Sequence, residues 1–215
     1  MTNLEKLTFG LKRHIVDTIG MLTFTNPVYG TIEIVSGMSN EVARGVRYAV
    51  ATTCFLGLGY LVSAGRRISR RIFNIKEDSS ERLQSFHDVA YMSALNIILN
   101  PALYALGGET DPEKIVISTG ISTIVGAFTG PFIGYSIDLY EDLTGIQKCE
   151  RPSYPNLLRD MKLRNKKFLA VGVTAASLSL LSGVYSLNSY FRPEQTQVLQ
   201  LETKKSSLES KIIED

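Results

Sequence analysis

The sequence predicts an all-α membrane protein with a four-helix transmembrane core, built as two parallel two-helix repeats, and a fifth C-terminal transmembrane helix. Three observations lead to this fold class: long apolar stretches, charged loops that separate them, and a motif that recurs between the two halves of the core. A helix crosses a bilayer core with about 20 mostly apolar residues. Stretches of this length recur along the 215-residue chain, at 15–35, 46–64, 89–106, 115–137 and 168–190.

The average composition is ordinary, with 20% charged residues and a mean hydropathy of +0.06. A soluble protein with buried core helices is the alternative, but several long apolar helices joined by charged loops favour the membrane. The first stretch contains Asp17 and Glu33 and lacks a cleavage pattern of small residues, so we do not expect a removable signal sequence. Cys54 and Cys149 fall in a span and a loop, which favours free thiols over a disulfide.

Lys and Arg are concentrated in alternate loops. They are frequent before the first stretch, after the second, and between the fourth and fifth. Because cytoplasmic loops carry an excess of Lys and Arg, the sequence predicts a multi-pass protein of the cell (inner or plasma) membrane, with a cytoplasmic N-terminus and an external C-terminus. The net charge of +2 indicates no nucleic-acid partner. The lipid bilayer is the first partner expected.

Four regions follow from this division: an exporter-like core over 1–144, a basic cytoplasmic linker over 145–166, the fifth helix over 167–191 and a polar helical tail over 192–215. Pro152 and Pro155 cannot continue a helix and mark the linker. The tail has too few heptads for a coiled coil. Residues 4–12 predict either a short amphipathic helix on the inner membrane surface or a frayed start.

Each half of the core has an Asn-Pro pair and a tyrosine in its first span and a Gly-Tyr pair near the end of its second span. The spacing from Tyr29 to Tyr60 equals that from Tyr104 to Tyr135. Parallel repeats of this kind are one plan of membrane transporters. Chance recurrence is the alternative, since Pro and Gly are frequent in membrane helices.

A polar site for substrate is expected near the middle of the membrane. A proline in a helix frees a backbone carbonyl, which membrane proteins tolerate where neighbours or a cavity satisfy it. A purely structural kink with an interhelical hydrogen bond is an equal alternative. The candidate substrate-binding residues are Asn26, Pro27, Tyr29, Asn100, Pro101 and Tyr104.

Three carboxylates, Asp17, Asp88 and Asp138, fall near the inner ends of their spans, close to His14 and His87. Ionisable groups inside a membrane are candidates for function. We therefore predict that these aspartates exchange protons, with Asp17 the strongest candidate because it lies a turn inside its span. The alternative, favoured for the histidines, is that these groups reach interfacial water.

Glu33 and Arg47 lie on either side of the short connection between the first two spans and could form an ion pair that gates the outer face. Either residue could instead be solvated. The fourth span carries Gly126, Gly130 and Gly134 at intervals of four, preceded by Ser118 and Ser122. This small-residue stripe predicts close helix packing, within the bundle or between subunits.

The sequence has no nucleotide loop, no metal cluster with ligand spacing and no nucleophile motif, so an enzyme is disfavoured and no cofactor or metal is expected. Three groups of residues along 13–140 carry a resemblance to a known family, through both their identity and their order. These are Arg13-His14, Asp17-Thr18, Met21, Ile32-Glu33, Ser36-Gly37-Met38-Ser39, Glu41 and Arg47; then Asp88, Ala90-Tyr91, Pro101 and Tyr104; then Gly130-x-x-x-Gly134-Tyr135-x-x-Asp138.

In these residues the chain resembles the bacterial L-alanine exporter family, small inner-membrane proteins with four helices. The resemblance implies export of L-alanine, or a similar small neutral amino acid, driven by the proton gradient. The fifth span and the tail lie outside the resemblance, and they leave the substrate open. Four or five helices make a thin wall around a cavity, so a homo-oligomer sealed by the glycine stripe is expected. The alternatives are a non-transporting membrane scaffold or interaction protein and an exporter of another small solute.

Overall fold

The computed structural model describes residues 2–76 and 78–191, and this part of the chain is helical with no β-strand. Short connections join successive long helices, at residues 36–39 and 107–111 for example, and neighbours in sequence therefore run antiparallel. The elements are α1 (Asn3–Val35), α2 (Asn40–Thr53), a π-helical turn (Cys54–Leu58), α3 (Gly59–Ile72), α4 (Glu81–Leu106), α5 (Pro112–Thr144), α6 (Asn156–Arg159) and α7 (Leu163–Phe191).

Four helices are long and apolar enough to cross a membrane. They are the continuous unit Asn40–Ile72, which combines α2, the π-helical turn and α3, together with α4, α5 and α7. Large apolar side chains cover their outer surfaces: Leu56 is 82% exposed and Phe128 76% exposed. Such a surface fits a lipid solvent better than water. The chain is therefore a multi-pass membrane protein by the length and composition of these helices.

The first predicted span differs from this set. It lies within α1, a helix of 33 residues, but α1 is not among the four helices apolar enough to cross a membrane. The physical reason is its polar content, which includes Asp17, Thr18, Asn26 and Glu33. These four side chains are buried inside the protein, so the polar groups of α1 face other helices.

The position of α1 explains this burial, because α1 packs against α2, α3, α5 and α7. Its N-terminus is closed by a capping box between Thr2 and Glu5, so residues 4–12 begin the same continuous helix and are not a separate surface helix. Leu4 and Leu7 remain exposed there. In this arrangement α1 is the central helix and packs against three of the four apolar helices, namely the unit Asn40–Ile72, α5 and α7.

The small-residue stripe of α5 packs against α4 of the same chain. A Cβ atom added to Gly130 would lie 2.7 Å from the Asp88 carbonyl oxygen, and one added to Gly126 would meet the Asn96 amide. Gly126, Gly130 and Gly134 are buried in this contact. The stripe is therefore occupied within one chain, and the expected homo-oligomer stays a prediction that this contact does not support.

The predicted linker is more ordered than its prolines indicate. Cys149, Arg151 and Tyr154 are buried, α6 forms one turn, and the last residues of the predicted linker already belong to α7. At the other end of α7, the Asn40 amide donates to the Tyr185 carbonyl at 3.0 Å. Helix α7 is thus held against the bundle at both ends, whereas the predicted tail, 192–215, lies outside the described residues.

Close packing of α4 and α5 gives a test of the fold. We expect Gly130→Ala to push the helices apart and lower the unfolding temperature by about 3–10 °C, from the usual cost of overpacking. Unfolding in detergent can be followed with a thiol-reactive dye, since Cys54 and Cys149 are free and buried. Gly120→Ala is the matched control, because Gly120 has nothing within 4 Å of an added Cβ. Equal melting of both variants would contradict the assignment of the stripe.

Candidate functional site

A cavity of about 70 Å³ lies among α1, α2, the π-helical turn, α3 and α4. Apolar side chains make up most of its wall, among them Met21, Val50 and Leu99, while a few polar groups face the same space. This combination of an apolar wall and a few placed polar groups is typical of small-molecule sites. The polar lining residues are Thr25, Tyr29, Arg47, Asn96 and Asn100.

The amides of α4 bring two polar groups to this wall. The Asn96 Nδ2 group donates to the Tyr29 hydroxyl at 2.8 Å and to the Ser122 carbonyl at 3.1 Å. It thereby joins α1, α4 and α5 at one point. Asn100 is buried, and its Nδ2 group has no hydrogen-bond partner. A buried donor without a partner is costly, so Asn100 is a group that a ligand could satisfy.

Glu33 and Arg47 form a buried ion pair beside the cavity. Arg47 donates through both Nε and Nη2 to the two Glu33 carboxylate oxygens, with an Nε–Oε2 distance of 3.1 Å. Glu33 is fully buried and Arg47 is 7% exposed. The Arg47 guanidinium also lies 5.7 Å from the Tyr29 ring centroid, which places the aromatic ring and the ion pair in one wall.

The π-helical turn forms part of the cavity wall through Cys54 and Leu58. Gly57 has a φ of 134° within this turn, a conformation that residues with a Cβ rarely adopt. The Phe55 carbonyl of the turn lies 3.0 Å from His14 Nε2. The carbonyl that the irregular turn frees therefore has a partner on α1, and the irregular backbone lies against protein.

A network of arginines and aspartates occupies the opposite end of the bundle. Arg66 on α3 contacts both Asp88 on α4, at 2.9 Å, and Asp138 on α5, at 3.1 Å. Arg70 contacts Asp88 at 2.7 Å, and Arg151 contacts Asp138 at 2.6 Å. Asp88 and Asp138 are therefore held by shared guanidinium groups, which ties three helices and the linker together.

Asp17 lies in a second, adjoining cluster. Its Oδ2 atom accepts from Arg67 Nη1 at 2.9 Å, and the same Nη1 atom is 3.9 Å from Glu141 Oε1. Arg13 holds Glu141 from the other side at 2.6 Å. The Asp17 Oδ1 atom is buried without a hydrogen-bond partner. Two carboxylates thus share one guanidinium, and one oxygen atom stays unsatisfied.

The linker covers this end of the bundle. Burial alone would lower the pKa of Arg151, but the attraction of Asp138 outweighs it and raises that pKa overall, so Arg151 remains a cation. Burial raises the pKa of the Cys149 thiol to about 11, which keeps it protonated near neutral pH. Lys166 and the Tyr154 hydroxyl both contact the Asp142 carboxylate. These contacts fix the linker as a cap on the ionic network.

The structure brings together some of the residues predicted for substrate and separates others. Tyr29 and Asn100 line the cavity. Pro27 lies instead in a groove between α1, α5 and α7, and Asn26 is buried without lining either space. Tyr104 is buried beside Met38 and Val46 and contacts Ser122. Pro101 lies inside α4 next to Asn100 but does not line the cavity.

Sequence reasoning did not identify four of the residues that organise these sites: Asn96, Arg66, Glu141 and Arg151. The signal for Asn96 was available, because it lies one helical turn before Asn100 and so on the same face of α4. The arginines were counted only as loop charges, although Arg66 and Arg151 are among the most buried residues of the described chain.

Among the described residues, no three His, Cys, Asp or Glu side chains are grouped so as to hold a metal ion. Comparison of the chain with protein-family models, with curated proteins and with solved structures gave no match.

The Glu33–Arg47 pair gives a test of this geometry. We expect Glu33→Gln alone, or Arg47→Gln alone, to destabilise the protein by about 3–5 kcal/mol, because each leaves a buried charge without its partner. The double variant should recover more than half of that loss, since no charge remains buried. Thermal unfolding of the three variants in detergent measures this coupling. Additive losses in the double variant would show that the two side chains do not interact.

Proposed function

We propose that this protein is a secondary transporter that exports L-alanine, or a similar small neutral amino acid, driven by the proton gradient. The observation that carries the proposal is the small cavity with the Glu33–Arg47 pair in its surroundings. A cavity among membrane helices with a few polar groups in its wall, and with ionisable groups beside it, is the arrangement expected of a solute path. The resemblance to the L-alanine exporter family supports the same cargo.

The chemistry of the cavity suits a small zwitterion. Arg47 lines the cavity with a guanidinium group, which suits a carboxylate. Glu33 is paired with Arg47 and lies outside the cavity wall, so in this proposal it faces the ammonium group only when that pair opens. The unpartnered Asn100 Nδ2 group adds a donor. The apolar wall at Met21 and Val50 suits a short apolar side chain, and the volume of about 70 Å³ is small.

The transport arrangement includes α1 as a membrane-crossing helix, shielded from lipid by its neighbours. The arrangement also includes the predicted repeat. In this repeat, the pair formed by α1 and the unit Asn40–Ile72 is equivalent to the pair formed by α4 and α5. The repeat is supported by a similar C-terminal end in α1 and α4, the first helix of each pair. Helix α1 ends at Val35 with Gly37 at a φ of 89°, and α4 ends at Leu106 with Gly108 at a φ of 98°.

The proton site of this proposal is the pair Asp17 and Glu141. Two neighbouring carboxylates are suited to an exchangeable proton, because like charges favour protonation of one of them. Arg67 contacts both, and its side chain is 27% exposed. A proton on one carboxylate would release Arg67, and loss of the proton would draw it back. Asp88 and Asp138, held by several guanidinium groups, position the helices in this scheme instead of exchanging protons.

Coupling of proton movement to solute export requires that the cavity and the proton site do not open to the same side of the membrane at the same time. An apolar cluster of α1, α3 and α5 includes Leu22, Val62 and Ile133, and in this proposal it is the layer that separates the cavity from the proton site. Helix α1 crosses this layer, with Asp17 on one side and Glu33 on the other. Movement of α1 against the neighbouring helices would therefore change the cavity and the proton site at the same time. The cavity is lined by one chain, so the proposal needs no second copy.

The first prediction concerns the proton pair. We expect Asp17→Asn and Glu141→Gln each to reduce alanine efflux from dipeptide-loaded cells at least about 10-fold, because one exchangeable carboxylate is lost. Exchange of alanine across vesicles without a pH gradient should be less affected than uphill export. Asp160→Asn is the control, since Asp160 is an exposed carboxylate on the α6 side of the linker.

Normal efflux in both pair variants would remove these residues from the mechanism. No efflux from the wild type, at normal expression in the membrane, would overturn the transporter proposal and favour the scaffold alternative.

The second prediction concerns cargo size. Val50 lines the cavity, so we expect Val50→Ala to enlarge it and to make valine a better competitor of alanine export, by about 10-fold for two methyl groups. Val171→Ala removes the same atoms from an exposed position on α7 and serves as the control. An unchanged competition profile in the Val50 variant would place the cargo elsewhere.

A further inference from the structure

A second cavity, of about 240 Å³, lies at the end of the bundle that holds the ionic network. It is bordered by the first part of α1, the last turns of α3 and the end of α5. Six of the residues in its wall are basic, against two carboxylates, Asp138 and Glu141. The basic residues are Arg13, Arg66, Arg67, Arg70, Arg71 and Lys76.

The two carboxylates in the described wall of this cavity do not balance its six basic side chains. Arg66, Arg67 and Arg70 are paired with aspartates of the network. Arg71 and Lys76 are exposed, and within the described part of the chain no carboxylate pairs with either of them. The cavity therefore keeps a positive field at its mouth, which favours an anionic ligand.

The residues outside the mouth indicate what kind of anion fits. Ile68 and Ile72 lie in the last turns of α3 and Phe73 follows directly, and they are 55%, 74% and 68% exposed. An apolar surface beside a cluster of guanidinium groups matches a molecule with an acyl chain and an anionic head. Guanidinium groups bind phosphate in a bidentate manner. The excess of Lys and Arg also predicts that this end faces the cytoplasmic leaflet.

We propose that this cavity, lined by Arg13, Arg66, Arg67, Arg70, Arg71 and Lys76, binds a phosphate group, supplied by the head of an acidic phospholipid. Basic pockets between membrane helices on the cytoplasmic side are suited to such heads. The cavity is separate from the one beside Glu33 and Arg47, although it shares Arg67 and Glu141 with the proposed proton site. The inference does not rest on the proposed function, because its test measures binding and not efflux. A bound phosphate would bridge α1 and α3 across the mouth and would stabilise the end of the bundle where Arg67 contacts Asp17.

The test uses the full chain in a neutral detergent, with phosphatidylglycerol, phosphatidylcholine or inorganic phosphate added. Native mass spectrometry measures retained lipid, and dye-monitored unfolding measures stabilisation. We expect phosphatidylglycerol, but not phosphatidylcholine, to be retained and to raise the unfolding temperature. The variant Arg71→Gln/Lys76→Gln should weaken that retention about 30-fold, from the usual contribution of two basic residues to anionic-lipid binding.

The matched control is Arg164→Gln/Lys167→Gln, which removes the same charge from exposed positions at the start of α7, near the same end of the bundle. Equal weakening in both double variants would show general attraction to a charged lipid and overturn the site. Equal retention of the two lipids by the wild type, with no effect of phosphate, would also overturn it. Stabilisation by millimolar inorganic phosphate alone, lost in Arg71→Gln/Lys76→Gln, would support the phosphate site and assign it a soluble ligand. Unfolding without added ligand checks that both double variants are folded.

Discussion

The fold depends on the buried contact between Arg66 and the aspartates Asp88 and Asp138. Removing these charges from water is costly, and only close pairing offsets that cost. Each aspartate comes from a different helix, and Arg151 joins them from the linker. A shift of α4 along α5 would separate a charge from its partner. The network therefore fixes the register of helices whose apolar surfaces would pack in several ways, and the glycine stripe lets them come close enough.

This arrangement divides the protein into a charged end, an apolar layer and, near the other end, a small cavity with a few polar groups in its wall. The division follows the sequence of α1, which carries Asp17, then apolar residues, then Tyr29 and Glu33. Because α1 lies at the centre, its polar groups reach partners on several helices. The same residues that make α1 less apolar than its neighbours thus provide the contacts on which the proposed transport and its proton site depend.

Much of the helical plan could be predicted from the sequence, because apolar length and charged loops report directly on membrane helices. The Glu33–Arg47 contact could also be anticipated, since a short turn brings the two residues together. The role of Gly126 to Gly134 could not be decided, because a small-residue face fits a neighbouring helix and another subunit equally well. Glu141 and Arg151 were missed for a related reason: charges near a span end look solvated until the packing of other helices is known.

The polar character of α1 also has a consequence for how the protein is made. A helix enters the bilayer alone only if its apolar residues outweigh its ionisable ones. Asp17 and Glu33 oppose that entry until Arg67 and Arg47 are present, and both arginines are synthesised later. In the proposed arrangement, where α1 crosses the membrane, we therefore expect α1 to complete its insertion only after α2 and α3, which carry Arg47 and Arg67, have been synthesised.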